Sequence, residues 1–150
     1  MQMTNSRTTP PLLWKRGKAW VDLYVQSISS TNADLKIAAI ACLMFGLELY
    51  LKSYIALRDN EYMEDDKLRG LGHEFKSLLN EYKKYAPRDQ ASNLEDMLKK
   101  YNLFDINIIE LRYPMADCCW GFNEELYKGQ HGFNDIFHYI DAQIPTYGAK

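Results

Sequence analysis

The run Ala33–Arg58 constrains this chain more than any other stretch. From Ile37 to Leu47 no charge interrupts it. Leu35, Ala39, Leu43, Leu47, Leu51, Tyr54 and Ile55 fall near one stripe, while other apolar residues occupy the remaining faces. A helix that is apolar nearly all round belongs in the middle of a structure, since a surface position would leave part of it in water. A membrane span is the other place for such a helix. It would need about 20 consecutive apolar residues, whereas Lys36, Glu48 and Lys52 sit at or inside this run. The reading is a buried central helix. Its two internal charges then need partners, because a buried charge is costly unless paired. Glu48 precedes Lys52 by four residues, the favourable order for a pair on one helix. Gly46 costs about 1 kcal/mol relative to alanine in a helix interior, and a close helix–helix contact would account for it.

The other elements arrange themselves around this one. Leu13, Trp14, Ala19, Trp20, Leu23 and Tyr24 recur near helical spacing and predict a helix over 12–27, after a loose tail ending in Pro10 and Pro11. Thr31-Asn32-Ala33-Asp34 resembles a capping box at the start of the central helix. A charged loop over 59–67 leads to a helix over 68–85, with Leu68, Leu71, Phe75, Leu78, Leu79 and Tyr82 on one face. Ser92-Asn93-Leu94-Glu95 reads as a second capping box, with a helix after it and a break at Asn102. Residues 105–111 predict a further helix, weakened by β-branched Ile106, Ile108 and Ile109. Residues 115–132 read as a loop, and 133–144 as a last amphipathic helix ended by Pro145. The fold class is therefore all-α: an antiparallel bundle of five or six helices with no sheet. It forms one domain over 12–145, flanked by tails at 1–11 and 146–150.

Composition narrows the function. A formal charge of −2 and a pI near 5.9 argue against a general nucleic-acid binder, which is usually basic. Three cysteines, Cys42, Cys118 and Cys119, show no framework spacing and fit a reduced, cytoplasmic setting. Residues 1–11 are polar and lack the apolar core of a signal peptide. His131, Asp135 and His138 share one helical face, but the two histidines lie two turns apart, roughly 10 Å along the axis. That is too far for one ion, so this set is read as the solvated face of the last helix, and no metal or cofactor is expected. Cys118 and Cys119 read as buried thiols beside Trp120.

Three segments carry a resemblance. Gly46-Leu47-Glu48-Leu49-Tyr50-Leu51-Lys52 is similar to the apolar-Glu-x-x-x-Lys helix of the HEPN domain family. Leu71-Gly72-His73-Glu74-Phe75 is similar to that family's Gly-His-acid-apolar helix start. Leu111-Arg112-Tyr113-Pro114 resembles an Arg-Tyr-Pro that follows a later helix in many members. Their order and spacing match over about 33–115. The resemblance implies a small helical module that self-associates as a homodimer, pairs with a nucleotidyltransferase, or binds nucleotide or RNA. Its candidate ligand-binding residues are Glu48, Lys52, His73, Arg112 and Tyr113. Glu48 and Lys52 form either the floor of a ligand pocket or a purely structural pair. His73 sets its imidazole against Glu48 or Arg112, or caps the core through a backbone carbonyl. Arg112 grips an anion beside the Tyr113 ring, or bonds the carbonyls at a helix end. Family ribonucleases carry an Arg, then four to six residues, then a His. No His follows Arg112 through Cys118, so no catalytic residue is assigned. A metal-independent ribonuclease with a diverged site is one alternative, and a purely structural dimerisation domain is the other.

Overall fold

The computed structural model describes residues 8–64, 67–112 and 122–144, with the side chains of Met63, Glu64, Glu110 and Arg112 outside the description. Every regular element within these residues is helical. Five helices have 11 residues or more: α1 (Pro10–Ser27), α2 (Ala33–Arg58), α5 (Phe75–Tyr85), α6 (Arg88–Lys100) and α8 (Phe133–Gln143). Single turns make α3 (Glu61–Glu64), α4 (Lys67–Gly70) and α7 (Glu124–Tyr127), and Ile108–Arg112 forms a 3₁₀ turn. The only pairing of extended backbone among the described residues is an isolated antiparallel bridge between Glu74 and Asn107.

The central helix spans the expected residues. Its cap is Asn32 rather than Thr31: the Asn32 side chain accepts from the backbone N–H of Asp34 at 2.9 Å and of Leu35 at 3.2 Å. Asn is as good a cap as Ser or Thr, so the choice falls to whichever side chain reaches the first free N–H groups. Helix α2 packs against α1, α5, α8 and the 3₁₀ turn, and Ile40, Leu43, Met44, Leu47, Leu51 and Ile55 are fully buried along it.

Helix α1 folds back along α2 as a helical hairpin. Trp20 lies on Phe45 with ring centroids 5.3 Å apart, and Gly17 meets Gly46. A Cβ built on Gly46 would stand 2.6 Å from Val21 Cγ2 and 3.0 Å from the Gly17 carbonyl oxygen. The two backbones touch because neither glycine has a side chain, which explains a residue that local propensity disfavours.

Several boundaries differ from expectation, each for a local reason. Helix α1 starts at Pro10, not at 12. Thr9 caps it, and proline is welcome in the first turn, where its missing N–H would have no partner anyway. The remaining tail residues 1–7 and 146–150 lie outside the described residues. The loop expected over 59–67 holds α3 and the start of α4. The helix expected over 68–85 is cut, because Gly72 takes a left-handed φ of 66° and α5 begins only at Phe75. Helix α6 starts at Arg88, directly after Pro87, so Ser92 and Glu95 lie inside it and cap nothing. The predicted break at Asn102 is present. Asn102 adopts φ 59°, and the N–H of Leu103 reaches the Leu98 carbonyl at 2.7 Å, closing a Schellman turn. The helix expected over 105–111 shrinks to the 3₁₀ turn, as its β-branched residues allow. In the expected loop 115–132 the described part contains α7, capped by the Asn123 side chain, which accepts from the Glu125 N–H. Cys118, Cys119 and Trp120 lie outside the described residues.

The tyrosines go inward. Tyr24, Tyr50, Tyr54, Tyr62, Tyr82 and Tyr101 are buried, and Tyr54 meets Tyr82 edge-on at 5.3 Å. The large apolar residues left exposed among the described ones are Leu12, Leu23, Val25 and Leu35. None of these is aromatic. No helix among the described residues is long and apolar enough to cross a membrane.

The α1–α2 contact yields a test. Gly46→Ala should destabilise the fold by a net ~1–2 kcal/mol in urea denaturation, despite alanine's better helix propensity. A stabilised Gly46→Ala protein would mean that the two backbones are not in contact.

Candidate functional site

Glu48 and Lys52 project from one turn of α2, and the Lys52 ammonium donates to Glu48 Oε1 at 2.6 Å. Both side chains are buried, at 4% and 8% exposure. The pair is intrahelical as the spacing suggested, yet it lies in the interior, where such pairs are not screened by water. Glu48 also bonds outside its own helix. His73 Nδ1 stands 2.9 Å from Oε1 and 3.1 Å from Oε2. One carboxylate thus serves two cationic or proton-bearing partners, and its charge is balanced by Lys52.

The position of His73 follows from the chain on either side. The left-handed Gly72 turns the backbone so that His73 precedes α5, whose first residue is Phe75. The His73 carbonyl accepts from the Ile108 N–H at 3.2 Å, beside the Glu74–Asn107 bridge. The residue is held at both ends, its side chain by α2 and its carbonyl by the segment that leads into the 3₁₀ turn. A carboxylate only accepts hydrogen bonds, so Nδ1 carries the proton. The imidazole is thereby oriented with Nε2 away from Glu48. The side chain is 39% exposed, and Nε2 has no hydrogen-bond partner among the described residues. An imidazole held this way can accept a proton at Nε2 or, when charged, donate from it to an anion.

Of the five residues read from the sequence, the fold brings Glu48, Lys52 and His73 together. Arg112 ends the 3₁₀ turn that begins at Ile108, about 8 Å further on by 3₁₀ rise. Its side chain and the whole of Tyr113 lie outside the described residues. Sequence reading missed the roles of Ile108, whose N–H holds the His73 carbonyl, and of Asn107, which pairs with Glu74. Nothing local announces them.

The other histidine reading changes. His131 is not on the solvated face of the last helix, because α8 begins only at Phe133. Its ring packs among Tyr24, Phe133 and Phe137, with centroids 5.4, 5.4 and 6.4 Å away. Its Nδ1 accepts from the Phe133 N–H at 3.2 Å and so caps the helix. Burial pushes its pKa down to about 4. Asp135 and His138 are exposed on α8. No group of three or more His, Cys, Asp or Glu side chains among the described residues is placed to hold a metal ion.

No protein-family model, no curated protein and no solved structure matches this chain.

Two measurements check these environments. Glu48→Ala strands a buried ammonium and should cost ~3–5 kcal/mol, against a much smaller loss for Glu95→Ala, whose partners Lys83 and Lys99 are in water. Equal losses would show that the Glu48 pair is effectively solvated. His131 binds fewer protons folded than unfolded between pH 6.5 and about 4, so stability should fall as pH drops through that window. From pH 6.5 to 5 the loss should be about 1.5–2 kcal/mol. It should flatten in His131→Asn, which keeps an acceptor for the Phe133 N–H. An unchanged pH slope in His131→Asn would remove the assignment.

Proposed function

We propose that this protein is a HEPN-like binding or regulatory module that takes a phosphate-bearing ligand, a nucleotide or RNA, at the open edge of the Glu48–Lys52–His73 cluster. One observation carries the reading. A buried carboxylate fixes the imidazole through Nδ1 and leaves Nε2 at the surface without a partner among the described residues. The local charge balance supports it. Lys52 cancels Glu48, so a protonated His73 presents net positive charge to an anion. Cost supports it too, since a buried ion pair is seldom the most stabilising way to fill a core. Pairing with a nucleotidyltransferase and self-association as a homodimer belong to the same proposal and rest on the resemblance of the three sequence segments.

A ribonuclease is the second reading, favoured by the same imidazole. A histidine oriented by a carboxylate has the build of a general acid–base. It lies on a different segment from the Arg112 position, where family nucleases carry both partners a few residues apart.

Titration separates these readings. Adenine nucleotide or a short oligoribonucleotide at roughly 100 times its Kd should raise the melting temperature by a few degrees and perturb the His73 ring nitrogens in 15N spectra. His73→Ala should abolish both effects while remaining folded. Purified protein without a partner should leave the RNA intact. Cleavage that disappears in His73→Ala or Arg112→Ala would replace the binding reading with the ribonuclease. No shift with either ligand would leave the structural dimerisation domain.

A further inference from the structure

Helix α1 turns Leu13, Gly17 and Tyr24 inward. Another side of it is unusual. Leu12, Arg16, Ala19 and Leu23 follow at intervals of four, three and four residues, which places them in one stripe. All four are exposed, with Leu12 at 55% and Leu23 at 44%. The outer stripe of a surface helix is normally polar. This one has a leucine near each end. From Leu12 to Leu23 it runs about 16 Å by helical rise, the length of three turns of a second helix.

The stripe borders a concave surface. A groove of about 510 Å³ opens between α1 and α2, with Leu12, Leu13, Ala19 and Leu49 as its apolar lining and Lys15 and Arg16 as its cations. Both cations are exposed, and neither has a carboxylate partner among the described residues. Other surface lysines are spoken for. Lys83, Lys84, Lys99, Lys100 and Lys128 each hold a glutamate of this chain, and Lys18 lies over the Trp14 ring, 5.3 Å from its centroid. Helix α1 carries three bases and one acid in a chain of formal charge −2. The groove is thus a cationic spot on an acidic protein.

We propose that this groove docks an acidic amphipathic helix of a partner protein, its apolar anchors among Leu12, Ala19 and Leu49 and its carboxylates on Lys15 and Arg16. Shape and charge each narrow the occupant. A concave strip between two helices takes inserted side chains along one stripe, the helix-in-groove mode of recognition. An occupant that covers Lys15 and Arg16 takes water from them, which is costly unless it brings acceptors of its own. This chain supplies none there, so the carboxylates come from the partner. Nucleic acid would meet the charge, but its sugar–phosphate backbone gives the leucines nothing to bury against. A bilayer presents a flat surface that does not fill a groove. One helix on one groove is a contact at the small end of specific interfaces, so the complex should be weak and reversible. Because opposite charges hold its rim, it should weaken further with salt. The inference goes beyond the reading above and does not rest on it, since the groove contains none of Glu48, Lys52 or His73.

Fluorescence anisotropy with two labelled peptides of about 15 residues tests it. Both have leucines at i, i+4 and i+7. One carries glutamates beside them and the other lysines. Wild type should bind the glutamate peptide saturably and the lysine peptide far more weakly. Arg16→Glu, on an exposed residue, should weaken the glutamate peptide by roughly tenfold and reverse the preference between the two. Leu12→Gln should weaken the glutamate peptide without reversing the preference. Both variants should keep the far-UV spectrum of wild type. A wild type that binds the two peptides equally, or neither, overturns the inference. Binding indifferent to Arg16→Glu overturns it too, and places the peptide elsewhere. A wild type that ignores both peptides but binds an oligoribonucleotide through Arg16 overturns it and gives the face to nucleic acid. The nucleotide titration at His73 is read separately: a protein that takes nucleotide there but neither peptide fails only this proposal.

Discussion

The arrangement depends on burying α2 on nearly every side while two charges remain inside it. An apolar cylinder of 26 residues needs neighbours around it, and α1, α5, α8 and the 3₁₀ turn supply them. The same enclosure removes water from Glu48 and Lys52, which forces them to satisfy each other. Glu48 has two oxygens and one lysine, so a further donor is favoured, and His73 provides it. Desolvation of one helix thus selects the geometry of a residue 25 positions away.

Much of this was legible in the chain because the signals were local. The span of α2, its mid-helix glycine and the i, i+4 pair follow from periodicity, propensity and spacing. Gly46 reads correctly as a close contact, since few other reasons keep glycine inside a buried helix. The break at Asn102 is equally local. What sequence reading misplaced were positions set by competition. Helix α6 begins at Arg88, four residues before the apparent capping box at Ser92, and a left-handed Gly72 splits what looked like one helix. His131 shared a face with Asp135 and His138 only on the assumption that the helix already included it.

The candidate site divides in the same way. Glu48 and Lys52 were visible as an anomaly of burial. The bond to His73 was visible only through the resemblance, since no pattern of spacing joins residues on different segments. The clamp by Asn107 and Ile108 was invisible, because backbone-to-backbone bonds between irregular segments leave no mark on residue type. The tyrosine rings fill the core, and several hydroxyls find carbonyls or carboxylates, as Tyr24 does at Leu126 and Tyr62 at Glu81, while the buried Tyr82 hydroxyl has no partner among the described residues.

The two-ended hold on His73 makes that residue a hinge pin between two parts of the chain. Its imidazole is fastened to the core helix and its carbonyl to the amide of Ile108. Any event that draws the ring off the carboxylate also strains the link through which the 3₁₀ turn is anchored. By reciprocity, loosening that turn frees the ring. The Ile108 amide is therefore a remote gauge of the imidazole's hold on Glu48, readable by hydrogen exchange.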